Sequence, residues 1–173
     1  IENTGEKQVD NLWLWVDGKP NFYNLRTLND SIIKNPKASV REKVLAFYEF
    51  FKKHPHFYPP GEGSENNDPI KACAVHGYGW CETKSENLGA MLELEGIAAR
   101  TINLRCIHTV NEVYDHELDK WCYIDVDLHQ YFENEKGEIM DYQELLNWVK
   151  GEISENPNFL NTEKGKYCRK IFL

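Results

Sequence analysis

A cysteine, a histidine and an aspartate follow one another in this chain, each in a setting suited to chemistry. Cys81 comes directly after Gly77-Tyr78-Gly79-Trp80 and opens a run of helical character. His108 opens Thr109-Val110-Asn111-Glu112-Val113-Tyr114, and Asp125 closes Trp121-Cys122-Tyr123-Ile124. In that order they suit a nucleophile, a base and an acid that orients the base. A thiol at a helix N-terminus lies near backbone N–H groups without partners and near the positive end of the helix dipole. Both favour the thiolate, the nucleophilic form. The glycines allow the backbone to come close to a substrate carbonyl, and the N–H of Cys81 is placed to donate to an oxyanion. The competing reading of any cysteine is a small buried hydrophobe. Cys73, Cys106, Cys122 and Cys168 lack the glycines and the helix start, and they fit that reading. His76, Tyr78 and Trp80 stand close enough to Cys81 to line its cleft.

The histidine and the aspartate gain weight as a pair. If Glu112 faces Trp121 in an antiparallel hairpin, the same register sets His108 opposite Asp125. Directly opposed residues have Cα atoms about 4.5–5.5 Å apart, close enough for a carboxylate to bond an imidazole. Asp127 shares the parity of Asp125 but lies past the point opposite His108, so it is the second choice. A one-residue slip would move one partner to the other face of the sheet. A lone His or Asp on a strand is more often just solvated or hydrogen-bonded. His54, His56, His116 and His129 fall in loops or at element ends and read as surface residues. No His, Cys and Asp grouping has metal-ligand spacing along the chain, and neither a metal nor a cofactor is expected.

These residues need elements to hold them. Ser39 and Glu42 form a capping box, and Val44, Phe47, Tyr48 and Phe51 share one helical face, which predicts a helix over 40–53 ended by His54-Pro55. The stretch 59–69, rich in Pro, Gly, Asn and Glu, reads as a surface loop. A second helix runs from Cys81 to Glu95, with Leu88, Met91 and Leu92 inward, Gly96 as left-handed cap and Ile97 as the contact that follows it. Strands are expected over 99–104, 108–114 and 121–127. Asp141 to Glu144 is another capping pattern, and Leu145, Trp148 and Val149 make a third helix. After Gly151 the signals fade. Leu12-Trp13-Leu14-Trp15-Val16 reads equally as a buried strand or a short helix. The expectation is an α+β domain spanning 1–173, with the Cys81 helix packed on an antiparallel sheet that bears His108 and Asp125.

Composition bounds the function. With 173 residues, 41% hydrophobic and 13% aromatic, the chain can bury a sizeable core. The net charge of -8 and the absence of a basic block disfavour nucleic acid. No apolar run is long enough to span a membrane. Five cysteines leave at least one thiol free or paired to another chain, and no Cys-x-x-Cys suggests a zinc ribbon. A chain opening at Ile1 rather than Met is expected of a processed protein or an excised piece.

Four submotifs in order, Gly79-Trp80-Cys81, Gly96-Ile97-Ala98-Ala99-Arg100, His108 through Tyr114, and Trp121 through Asp125, resemble the transglutaminase-like superfamily, a branch of the papain-like thiol fold. The resemblance covers about residues 68–127. Asp68-Pro69-Ile70-Lys71 with Gly77-Tyr78-Gly79 is similar to a bacterial branch found beside polysaccharide-processing or surface modules. It implies Cys81 as nucleophile, His108 as base and Asp125 as orienting acid, with acyl transfer or hydrolysis of an amide or peptide through a thioester. It implies a peptide, protein or glycopeptide substrate, no cofactor and a place outside the cytoplasm, periplasmic or secreted. The chain lacks the calcium-binding and β-sandwich domains of the animal enzymes, so calcium dependence does not carry over. Many members carry an aromatic residue two positions after the histidine, where this chain has Val110. Peptide N-glycanase shares the core, but it carries paired Cys-x-x-Cys motifs absent here. The alternative of another class is a noncatalytic module that binds a glycan or a protein, with Trp13, Trp15, Trp80, Trp121 and Trp148 as stacking surfaces; such tryptophans more often form core.

Overall fold

The structure, a computed structural model, describes residues 16–57, 67–105, 108–156 and 158–172. Helices α1 and α2 both begin at reciprocal side-chain caps. Helix α1 (Leu25–Ile32) is capped by Asn24, whose side chain accepts from Thr27 N, while Thr27 Oγ1 accepts from Asn24 N. Helix α2 (Val40–Phe51) carries the expected box: Ser39 Oγ accepts from Glu42 N and Glu42 Oε2 accepts from Ser39 N. It ends two residues earlier than predicted. A two-residue strand β1 (His56–Phe57) follows. The predicted loop over 59–69 and the 12–16 segment lie outside the described residues except for their last positions. From Asp68, whose Oδ1 accepts from Ile70 N and Lys71 N, the chain is helical, with a π-helical turn over Lys71–His76 that the sequence did not announce.

Strand β2 (Tyr78–Gly79) pairs with β1 in parallel and leads into helix α3 (Cys81–Leu94). Helix α3 closes as predicted. Gly96 has a φ of +71°, its N–H donates to Glu93 O, and Ile97 N–H donates to Leu92 O, which is the double bond of a Schellman cap. Three antiparallel strands follow, β3 (Ala99–Leu104), β4 (His108–Asp115) and β5 (Lys120–Ile124), in the order β3-β4-β5. Strand β4 is central, and seven of its eight residues are buried.

The β4–β5 register differs from the predicted one. Glu112 pairs with Tyr123 and Tyr114 with Trp121, so the strands are shifted by two residues. A shift of two preserves the face on which every side chain points, because the strand period is two. Val110 and Tyr123 therefore still face one way, and Val113, Cys122 and Ile124 the other. Strand β5 also stops at Ile124 instead of reaching 127. Asp125 instead bridges to Gln130 through a pair of backbone hydrogen bonds, with a tight turn between.

Helices α1, α2 and α3 cover the face bearing Val113, Cys122 and Ile124, with Phe47, Phe51, Leu88, Met91 and Leu92 at the centre of that core. Helix α4 (Tyr142–Glu155) and helix α5 (Glu163–Phe172) cover the face bearing Val110 and Tyr123, through Leu145, Val149, Cys168 and Ile171. Helix α4 has the predicted cap, with Asp141 accepting from Glu144 N and Glu144 accepting from Asp141 N. Helix α5 lies where the sequence signals fade. The result is helices on both faces of an antiparallel sheet, an α+β layer arrangement. No helix among the described residues is long and apolar enough to cross a membrane.

Candidate active site

Cys81 is the first residue of α3. Trp80 supplies the helix entry without a side-chain cap, and the leading N–H groups of any helix have no intrahelical acceptor. Gly79 serves packing more than substrate approach: a Cβ there would meet Thr83 Cγ2 at 2.9 Å. The helix is held to the central strand by two buried bonds. Ser85 Oγ donates to Thr109 O at 3.1 Å, and Asn111 Nδ2 donates to Ser85 O at 3.0 Å. Those bonds fix the height of Cys81 along β4, whose first residue is His108.

His108 and Asp125 meet even though the strands do not set them opposite one another. His108 Nε2 lies 2.7 Å from Asp125 Oδ2, and both side chains are buried. In place of the direct opposition expected from the sequence, Asp125 lies two residues off on the same sheet face as His108, and the turn that follows holds its other carboxylate oxygen. Asp125 is completely enclosed and fully used as an acceptor. Its Oδ1 takes the N–H groups of Asp127 and Leu128 at 3.0 and 2.9 Å, and its Oδ2 also takes the hydroxyl of Tyr167 at 2.8 Å. The other three groups bonded to this carboxylate are all donors, and an ionised carboxylate accepts only. His108 must therefore carry its proton on Nε2, which leaves Nδ1 as the acceptor.

Cys81 Sγ, a His108 ring nitrogen and an Asp127 carboxylate oxygen lie within 4.8 Å of one another. Thiol and imidazole are thus neighbours, contributed by α3 and β4. Asp127, the second choice in sequence, stands at the site too, but its partner is Lys84: the ammonium is 2.9 Å from Oδ1, with both side chains buried. A thiol, an imidazole and a carboxylate are also donors for a soft divalent ion. The Lys84 charge at Asp127 opposes a cation there. Sequence spacing could not reveal this cluster, because its members come from three separate elements.

A cleft of about 460 Å³ opens over these groups. Phe57, Trp80, Leu128 and Ile171 give it apolar walls, and Lys170 adds an exposed cation. Trp80 stands where the sequence suggested. His76 and Tyr78 do not line this cleft among the described residues; they lie on the preceding turn and strand, their rings 5.9 Å apart. Val110 is fully buried in the core and forms no cleft wall. Cys73, Cys122 and Cys168 are buried, as expected, and Cys106 lies outside the described residues. His129, expected at the surface, is half-buried with Nδ1 enclosed and unpartnered. Burial holds it below its ordinary pKa, and the Lys84 charge adds to this.

Sequence reasoning missed Lys84 and Tyr167. Lys84 was legible in principle, since it follows Cys81 by three residues and so shares its helix face. Tyr167 was not, since nothing along the chain links α5 to Asp125.

Comparison with known proteins bears on the same segment. A search of curated proteins finds no match. The family model described as the transglutaminase-like superfamily matches residues 26–126, starting well before position 68 and ending at the strand turn that carries Asp125. That match takes in more than half of the 173 residues, including the cysteine helix and the histidine strand. The chain belongs to the transglutaminase-like superfamily.

Proposed function

We propose that the protein is a thiol enzyme that transfers or hydrolyses the acyl group of an amide or peptide through Cys81, His108 and Asp125. The observation that carries this reading is the His108–Asp125 bond at 2.7 Å beside the thiol that opens α3. With Nε2 bound to Asp125, Nδ1 of His108 takes the proton from Cys81. The thiolate attacks the carbonyl carbon, a C–S bond forms and the oxyanion is met by N–H groups at the start of α3. The C–N bond then breaks as the imidazolium gives its proton to the leaving amine, and a thioester remains. Water or a second amine loses a proton to His108, attacks the thioester and releases the thiol. Asp125 keeps the imidazole in the productive tautomer and steadies its positive charge, without itself taking the proton. The apolar walls of the cleft suit a peptide segment.

The test is to trap the thioester. The protein is incubated with a mixed peptide-amide pool, with and without excess primary amine, and quenched in acid for intact mass measurement. An acyl adduct at Cys81 is expected, lost in Cys81→Ala and His108→Ala. Asp125→Asn should lower turnover by about 10²–10⁴-fold, since an amide no longer selects the tautomer. Free acid against amine conjugate in the products separates hydrolysis from transfer. If no adduct forms and Cys81→Ala binds the same peptides as the parent, the domain is a binding module and the enzyme reading falls.

A further inference from the structure

Helix α5 lies wholly beyond residues 26–126, the span that matches the family. It nonetheless reaches the centre of the site. Tyr167 is buried, and its hydroxyl donates to Asp125 Oδ2 at 2.8 Å, the same oxygen that holds His108 Nε2 at 2.7 Å. Tyr123 on β5 completes the chain, with its hydroxyl 2.5 Å from that of Tyr167. Because Tyr167 spends its proton on Asp125, Tyr123 must donate to Tyr167. The order of donation is therefore Tyr123 to Tyr167 to Asp125, with His108 donating to Asp125 from the other side.

We infer that Tyr167 is a positioning residue for the catalytic machinery, acting on His108 through Asp125. The inference rests on the assignment of Cys81, His108 and Asp125 proposed above. Two donors on one carboxylate oxygen share its charge. The tyrosine thereby limits how strongly Asp125 pulls on His108, and it fixes the direction from which Oδ2 is offered. Burial and the nearby Asp125 charge raise both tyrosines well above the usual phenol range, so both hydroxyls stay protonated donors. The packing agrees with a fixed role: Tyr167 also meets Phe132 and Phe172 with ring centroids 5.7 and 6.1 Å away. Other charged or titratable groups face the same centre, namely Cys81 and Lys84 from α3, Asp127 and His129 from the turn, Tyr48 from α2 and Lys170 from α5. Substituting the phenol leaves all of them in place.

Tyr167→Phe removes one oxygen and keeps the ring. Two readouts follow that need no substrate. By NMR, the His108 Nε2–H proton should move downfield relative to the parent, because Asp125 Oδ2 then serves a single donor. The upper limb of the pH profile for iodoacetamide labelling at Cys81 should move to higher pH. Tyr123→Phe, which deletes only the outer donor, should shift both in the same direction by less, and it serves if Tyr167→Phe does not fold. Variants that lose thermal stability while resonance and profile coincide with the parent would make the tyrosines structural only and overturn the inference. If Cys81 in the parent labels no faster than Cys122, the catalytic assignment fails instead, and the His108 resonance still reads whether Tyr167 acts on the pair.

Discussion

Lys84 Nζ lies 2.9 Å from Asp127 Oδ1, with each side chain only 3% exposed. The pair joins α3, three residues past Cys81, to the turn two residues past Asp125. It thus fastens the Cys81 helix to the turn that follows Asp125. Two charges withdrawn from water are costly, and their mutual attraction offsets that cost only while both are present. Lys84→Met leaves a buried carboxylate unpaired and should lower the unfolding free energy by ~3–5 kcal/mol in urea titrations. Lys84→Met combined with Asp127→Leu should regain most of the loss. A double variant no more stable than the single would show that the ion pair is not what sets the cost.

The four described cysteines should separate cleanly in reactivity. Burial pushes the Cys73 thiol up to about 12, and those of Cys122 and Cys168 up to about 11. At pH 8 a thiol with a pKa near 11 is thiolate in about one part per thousand, and the thiolate is the form that alkylates. Iodoacetamide at pH 8 should therefore spare all three in the folded protein, while Cys81, half-exposed in the cleft, is modified. Urea should bring the three buried thiols to the rate of an unfolded chain. Peptide mapping of the labelled native protein checks this, and native labelling of Cys122 or Cys168 at the unfolded rate would contradict their burial.

The local part of this architecture was readable in the chain, and the reasons are specific. Ser39 with Glu42 and Asp141 with Glu144 are reciprocal caps whose partners lie three residues apart, so the sequence alone announces α2 and α4. Helix α5 begins with Thr162 Oγ1 accepting from Gly165 N at 3.0 Å, but Gly165 has no side chain to return the bond, and that start stayed silent. The His108–Asp125 pairing was right in face and wrong in register. A shift of two residues leaves the face unchanged, so the two side chains still meet as diagonal neighbours. Lys84 with Asp127 and Tyr167 with Asp125 are contacts over 40 residues or more, set by how layers stack, and no pattern within one element encodes them.

Stability should fall on mild acidification, and two histidines account for the sign. His54 packs against Phe50 with ring centroids 5.2 Å apart, and burial holds its pKa below 6.5. His129 is held below 6.5 as well, by burial first and then by the Lys84 charge. A histidine with a lowered pKa in the fold binds its proton more weakly there than in the unfolded chain. Well above pH 6.5 both states are neutral and the group is without effect. As the pH drops through 6.5 the unfolded chain protonates first, and stability declines until the folded-state value is passed. The midpoint of urea unfolding should therefore fall between pH 7 and pH 5.5. His129→Asn tolerates the φ of +56° at that position, and His54→Gln removes the second group. The double variant should lose less stability than the parent over the same interval. An equal fall in both proteins would mean that groups other than His54 and His129 take up the protons.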